Sequence, residues 1–401
     1  MRRTQAVTAS DQSSAMERRP SGRLLEAPFE IAAQIVDTIG PRSPGSIGEA
    51  KMAAFLDARL RQAGFRVSAE SYRAFRFPGY DGIVVGTLAV IGVVGFHWMP
   101  LLSILMFAVS SGAAFLTLLS NIPLLTPRIL SQNVVATRAA AGDMRWRLVV
   151  LAPLSSPPAI GRWLAEAGAG RTGRIGRTAA AVLLLGLGIA AIAPFLFHLH
   201  LWLWYAQAVP AIILFAQGIA AFIVQRAPAT PGAISYAGAL ATLIGSAARL
   251  PHLQHTEVWM IGIGAGDSTA GINDLLRRYP FEPQHTFFIS LNGIGSGTLC
   301  YLAAEGALRP RPADSLLVRL AARVVESGQT TARSCVCRCA THASVLRRRG
   351  WRAMGIAALD VKQHVPYQYE RHDDLSKLDA AHLNNAVRLV VGLARALDAT
   401  L

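Results

Sequence analysis

Charge is missing from two long parts of this 401-residue chain: neither Gly82 to Pro127 nor Thr178 to Gln225 contains an Asp, Glu, Lys or Arg. Soluble helices of such length carry a charged face, so these stretches of 46 and 48 residues exclude an ordinary solvated surface element. Cysteine is scarce too. Cys300, Cys335, Cys337 and Cys339 are all there is, which fits a reducing compartment and implies no disulfide framework. Acidic residues are outnumbered, 24 against 39 basic, giving a net charge of +15. The excess is nearly all Arg, is spread over the polar parts, and includes no basic recognition motif, so no nucleic acid partner is expected. An apolar signal core is likewise missing from residues 1–25, which hold Arg2, Arg3, Arg18 and Arg19 among Ser, Thr and Gln and read as a disordered basic arm.

What is abundant is apolar residues, 52% of the chain, with a mean hydropathy of +0.36. A helix crossing the hydrocarbon core needs roughly 20 apolar residues, so each uncharged stretch is long enough for two helices and a tight turn. His97, Trp98 and Pro100 mark the first turn, where an interfacial Trp and a helix-ending Pro suit a membrane surface. Pro194 to Trp204, with His198 and His200 among aromatics, marks the second. The expectation is two transmembrane hairpins, 82–127 and 178–225, in an inner or plasma membrane. Between them, Arg128, Arg138, Arg145, Arg147, Arg162, Arg171, Arg174 and Arg177 stand against Asp143 and Glu166. That asymmetry places the termini and the polar domain in the cytoplasm. His198 and His200, read as turn residues, are interfacial rather than a proton pathway.

The polar remainder divides into 26–81, 128–177 and 226–401, three parts of one domain. Ala27 to Ile39 and Ile47 to Ala63 read as helices, and Phe65 to Tyr72, Asn133 to Thr137 and Arg147 to Ala152 as strands. Beyond the second hairpin, helices are expected at Tyr236 to Arg249, Ser268 to Tyr279, Leu316 to Glu326, His342 to Arg349 and Leu378 to Leu397. Strands are expected at Glu257 to Ile263, Thr286 to Leu291 and Arg352 to Leu359. Alternation of this kind implies an α/β domain, a mixed sheet flanked by helices.

Three motifs in order carry a resemblance. Ile39-Gly40-Pro41-Arg42 with Gly45-Ser46 and Gly48-Glu49, then Asn133-Val134-Val135-Ala136, then Asp373 to Asp379 resemble the zinc-dependent aminopeptidases of metallopeptidase family 28. The resemblance implies a zinc-aminopeptidase fold and a centre of two metals about 3.5–4 Å apart, held at strand ends and leaving a position for an activated water. Carried over residue by residue, it puts Pro153 at the first His ligand and Ser155 at its supporting Asp. The bridging Asp falls in Gly232 to Gly238, at Ser235. Gly266 stands at the general-base Glu, Asn292 at a carboxylate ligand and Tyr369 at the last His. Asp267, Asn292 and His372 are the residual candidates for metal, and none of the matched positions could serve as a catalytic base.

The sequence therefore reads as a membrane-anchored aminopeptidase-like protein, a pseudopeptidase acting as a binding or scaffolding module. Its partners would be the lipid bilayer and a peptide or protein, with no cofactor expected. Two alternatives remain: an active zinc metallopeptidase of aminopeptidase type with relocated ligands, and a small membrane transport or export component. Cys335, Cys337, Cys339 and His342 offer soft donors, but in a strand the three thiols line one face instead of surrounding an ion, so they read as structural. His364, Glu370, His372, Asp373 and Asp374 form the densest polar cluster, read as a solvated loop in which Asp373 or Asp374 helps start the last helix.

Overall fold

In the computed structural model the described residues are 26–75, 81–120, 128–168, 175–176, 178–183, 185–186, 201–266, 268–306, 309–339 and 341–400. The basic arm, His198, His200 and Asp267 lie outside them.

Nine strands form one sheet: β1 (Arg66–Phe75), β2 (Arg128–Arg138), β3 (Trp146–Pro153), β4 (Thr256–Ile263), β5 (Thr286–Leu291), β6 (Thr298–Glu305), β7 (Arg311–Pro312), β8 (Arg333–Cys337) and β9 (Arg352–Leu359). Their order is β1-β2-β4-β3-β5-β9-β6-β7, with β8 pairing β6. The centre, β4-β3-β5-β9, is parallel, and β1 and β2 form an antiparallel edge. Parallel strands covered on both faces carry continuous apolar runs, and β3 shows why. Leu148, Val150 and Ala152 enter one core, while Val149 and Leu151 enter the other. Each such Leu or Val contributes roughly 1.5–3 kcal/mol on full burial.

The first core is covered by α1 (Pro28–Gln34), α2 (Ile47–Gln62) and three helices that follow later in the chain. The expected elements of the polar part appear within a few residues of their sequence bounds. Three strands were not foreseen: β6, β7 and β8. The expectation of free thiols is also corrected, because β6 and β8 run side by side. Cys300 and Cys335 are bonded with Cα atoms 5.7 Å apart, and Cys337 is bonded to Cys339.

Between β1 and β2 the chain forms a helical hairpin, α3 (Asp81–Val94) and α4 (Pro100–Ser120), turning through Gly95–His97 with Trp98 exposed. That is where the sequence put the turn. After β3 come α5 (Arg162–Gly168), helical residues between 175 and 186, then α6 (Leu201–Ala206) and α7 (Ala208–Arg226). One helix, Trp204–Arg226, is long and apolar enough to cross a membrane; the apolar helices of the first hairpin, Gly82–His97 and Pro100–Leu116, are shorter. Four spanning helices are therefore more than the described residues show.

The two insertions pack on each other through glycine. A Cβ on Gly86 would lie 2.4 Å from the Cα of Phe215, and one on Gly218 would lie 2.5 Å from the Cα of Ile83. Gly82 and Gly86, four residues apart on α3, thus bring its backbone against α7, the close approach that small residues permit between apolar helices. Beyond the contact, Trp204 stacks on Phe96 at 4.2 Å and donates its indole N–H to the Val93 carbonyl at 3.0 Å.

The remaining helices are α8 (Gly238–Arg249), α9 (Ala270–Arg278), α10 (Ser315–Glu326), α11 (His342–Arg348) and α12 (Ala380–Asp398). α8, α10 and α12 join the first core, and α9 and α11 cover the opposite face.

Candidate functional site

In an open α/β sheet, sites form beyond the carboxyl ends of the parallel strands. Here that edge is organised around the turn after β4, Gly264-Ala265-Gly266, whose backbone groups are held by side chains from five directions. Tyr72 donates to the Gly264 carbonyl at 2.6 Å, and the Gly264 N–H donates to Asn133 Oδ1 at 3.2 Å. The Ala265 N–H donates to Glu49 Oε1 at 2.7 Å and the Gly266 N–H to Ser155 Oγ at 2.8 Å. The Gly266 carbonyl meets His342 Nε2 at 2.9 Å. A turn clamped this way keeps Ala265 at a φ of 44°, a backbone conformation that costs a residue with a Cβ of order 1–3 kcal/mol.

Local sequence explains the clamps. Ser46 caps α2, and Glu49 three residues on turns back to the Gly45 N–H, a variant of the capping box. Its second oxygen also accepts from Ser131 at 3.1 Å, and burial pushes the carboxyl above its usual range. Asn133, the first residue of the strand motif, additionally donates to the Gly271 carbonyl at 3.0 Å, tying β2 to α9.

Pro153 ends β3 and lies directly against this turn. A Cβ on Gly266 would come within 2.6 Å of the Pro153 Cβ, so with the strand ends this close a side chain at 266 would meet the Cβ of any residue but glycine at 153. Ser155 and Ser235 are fully buried. The Ser235 N–H and hydroxyl and the Ile234 N–H all donate to the Asp373 carboxylate. Asp373 is thus a buried anchor for the start of the 233–237 turn, which corrects its reading as a solvated loop residue. Asp379 caps α12 instead, through the Ala381 N–H at 2.7 Å.

Arg42 completes the arrangement. Fully buried, it donates from Nε to the Leu154 carbonyl at 3.2 Å and from Nη1 to the Gly40 carbonyl at 2.7 Å. Burial pushes its guanidinium down to about 10, against the opposing charge of Asp373, and Asp373 is itself raised by burial. Sequence reasoning placed Arg42 in a motif without a role. Its signal was the turn Gly40-Pro41-Arg42, which leaves an Arg no helix face from which to reach water.

Of the residual metal candidates, Asn292 is half-buried just after β5 with its Oδ1 lacking a donor among the described residues, and His372 is exposed. Tyr369 takes a φ of 70° and accepts the Gly161 N–H at 2.9 Å through its carbonyl. Among the described residues no three of His, Cys, Asp and Glu gather as a metal-holding group. At the matched positions, Pro153 and Gly266 have no side-chain donor for zinc, and the Ser235 hydroxyl is donated to Asp373.

His342, the first residue of α11, has an unexpected part. Its ring is pushed down to about 4 by burial and stays neutral as it meets the Gly266 carbonyl. An unfolded histidine titrates near 6.5, so between about 6.5 and about 4 the unfolded chain binds the extra proton and stability falls as pH falls. The melting midpoint of the native chain should therefore drop further between about pH 7 and about pH 5 than that of His342→Gln. Equal drops would show that His342 is not the group concerned.

Both insertions leave from this same edge. The second exits after Ser156 and returns to it: Thr230 N–H donates to the Pro157 carbonyl and Ala159 N–H to the Pro228 carbonyl, both at 2.8 Å. A recess at their base is lined by Ser43, Phe75, Ser156, Ser268, Val224 in the last turn of α7 and Ala227 just after it.

No family model matches the chain, and no curated protein matches it in sequence. Its fold is that of the zinc aminopeptidases and glutaminyl cyclases. A zinc aminopeptidase from Bacillus subtilis superposes with a TM-score of 0.54 at 11% identity, covering 92% of this chain and 93% of that one. An aminopeptidase from Aneurinibacillus sp. strain AM-1 gives 0.53 at 12%, covering 91% and 92%. A glutaminyl cyclase from Bacteroides thetaiotaomicron, bound to N-acetylhistamine, gives 0.53 at 12%, covering 92% and 96%. At such identities the likeness establishes architecture alone.

Proposed function

We propose that this chain is a membrane-anchored, non-catalytic module of aminopeptidase fold, in which the edge that carries metal in an active enzyme is repacked and faces the bilayer. The observation that carries the reading is the mutual fit of Pro153 and Gly266. Neither residue offers a metal ligand or a base, and a Cβ at 266 would lie 2.6 Å from the Cβ of residue 153, a clash that a histidine there would keep, so a glutamate at 266 would need the two strand ends to move apart. The carboxylate of Asp373 supports it as well, since it is committed to Ser235 and the charge of Arg42. For anchoring, the support is the two uncharged insertions. α3 with its turn, α4 and α7 measure about 25–31 Å at 1.5 Å per residue, close to a hydrocarbon core of about 30 Å. Their outer faces leave Ile91, Leu101, Leu105, Phe115, Ile212 and Ile223 exposed. The binding role then falls to the turn-centred edge and its recess.

The purified full chain should hold far less than one zinc per molecule and show no turnover of aminoacyl or N-terminal glutaminyl peptides with added zinc. Stoichiometric zinc, with turnover abolished by Asp267→Ala, would overturn the non-catalytic reading in favour of relocated ligands. Reporters fused at Leu401 and inserted near His198 should fall in opposite compartments; the same compartment for both would refute the hairpin topology.

A further inference from the structure

We infer that the recess at the base of the insertions receives the phosphate of an anionic phospholipid, a reading that rests on the membrane anchoring proposed above. Its floor carries hydroxyls, with Ser43 and Ser268 both half-buried, and Ser268 Oγ already accepts the Ala270 N–H at 3.2 Å, leaving its proton for an acceptor. Two exposed arginines border it. Arg128 opens β2 opposite Phe75, its guanidinium 5.7 Å from the ring centre, and Phe75 is itself part of the recess wall. Arg226 closes α7 between the lining residues Val224 and Ala227, its guanidinium 4.3 Å from the ring of Phe222. No described carboxylate pairs with either one. Each guanidinium lies near an aromatic ring, and a guanidinium free of a carboxylate can bind phosphate oxygens with two hydrogen bonds.

The wall above the recess suits the rest of such a lipid. α7 rises from it with no charged residue beyond Arg226, exposing Ile223 and Ile219 one turn apart, an apolar strip for an acyl chain. Positive charge at the foot of an uncharged helix and apolar surface along it match a phosphate on a diacyl tail better than a soluble anion, which would gain nothing from the strip. Cationic residues beside a bilayer each strengthen attraction to acidic lipid measurably, and two bordering one pocket act together.

The test uses the full chain reconstituted into vesicles of phosphatidylcholine alone or mixed with phosphatidylglycerol, then extracted in mild detergent so that retained lipid is counted. Phosphatidylglycerol should be enriched over phosphatidylcholine among retained lipids. The double variant Arg128→Gln, Arg226→Gln should lower that enrichment roughly tenfold. The double variant Arg319→Gln, Arg323→Gln, on the exposed side of α10, should leave it unchanged. Saturating inorganic phosphate should not displace the lipid; full displacement would assign the recess to a free anion and overturn the inference. Entry into both vesicles without enrichment, or equal loss in both variants, would overturn the lipid site alone. Failure to enter either vesicle would remove the anchoring and the site together.

Discussion

Arg42→Met should leave the chain unable to hold its fold, with a loss of about 3–5 kcal/mol, the scale seen when one partner of a buried charged pair is removed. Three effects add in the same direction. The carboxylate of Asp373 keeps its burial but loses the positive charge that helps hold it ionised. The carbonyls of Leu154 and Gly40 lose their donor, and each buried group left without one costs about 1–3 kcal/mol. The space also cannot collapse freely, since a Cβ on Gly232 would already lie 3.2 Å from Arg42 Nη2. Thermal unfolding in detergent, followed by tryptophan fluorescence, reads the effect. A midpoint within a few degrees of the native chain would mean that Arg42 merely fills space. Arg42→Lys separates charge from geometry: it keeps the charge beside Asp373 but lacks the planar fork that reaches several carbonyls at once, so it should recover only part of the loss.

Gly218→Leu should separate the two insertions. At this point the backbones themselves are in contact, so the added side chain has no flexible neighbour to displace; α3 must move as a body. Overpacking of side chains costs typically 1–3 kcal/mol, and backbone against backbone should exceed that range. Gly112→Leu, on α4, is the matched control, because a Cβ there meets nothing within 4 Å. The first variant should unfold or aggregate on extraction while the second behaves as the native chain. Should both be equally harmed, the damage would lie in making glycine bulky in an apolar helix and not in the α3–α7 contact.

Legibility in the sequence followed the range of the interaction. β3, β4 and β5 were readable because both faces are buried, so Leu148 to Ala152 and Val258 to Ile263 are unbroken apolar runs and Phe287 to Ile289 is a shorter one. The hairpin turn at Gly95–His97 was readable because Trp98 and Pro100 mark it locally. β8 was not. Arg333–Cys337 is a short strand whose one neighbour is β6, half of it faces solvent, and it has no period to detect. Its bond from Cys335 to Cys300 depends on strand adjacency, a tertiary fact. The same holds at the candidate site. Pro153 and Gly266 were each visible as departures from the resembled family, but that they lie against each other appears only when β3 and β4 lie in register. Asp373 was misread because a carboxylate before a helix usually caps it. Here the competing demand, two backbone N–H groups and the Ser235 hydroxyl at 233–237, came from far along the chain.

The antiparallel pair β1 and β2 has Phe75 opposite Arg128 with the whole first hairpin strung between them. An ordinary hairpin closes over a few residues; here the loop is long, and the entropy of bringing its ends together grows with the logarithm of its length. The strands therefore gain little by meeting before α3 and α4 have paired with each other and shortened the gap. Assembly of the sheet's outer edge is thus coupled to the pairing of the apolar helices: β1 and β2 close on each other only after α3 and α4 have come together, and a chain whose hairpin is stalled would present β2 as an open edge to whatever else is nearby.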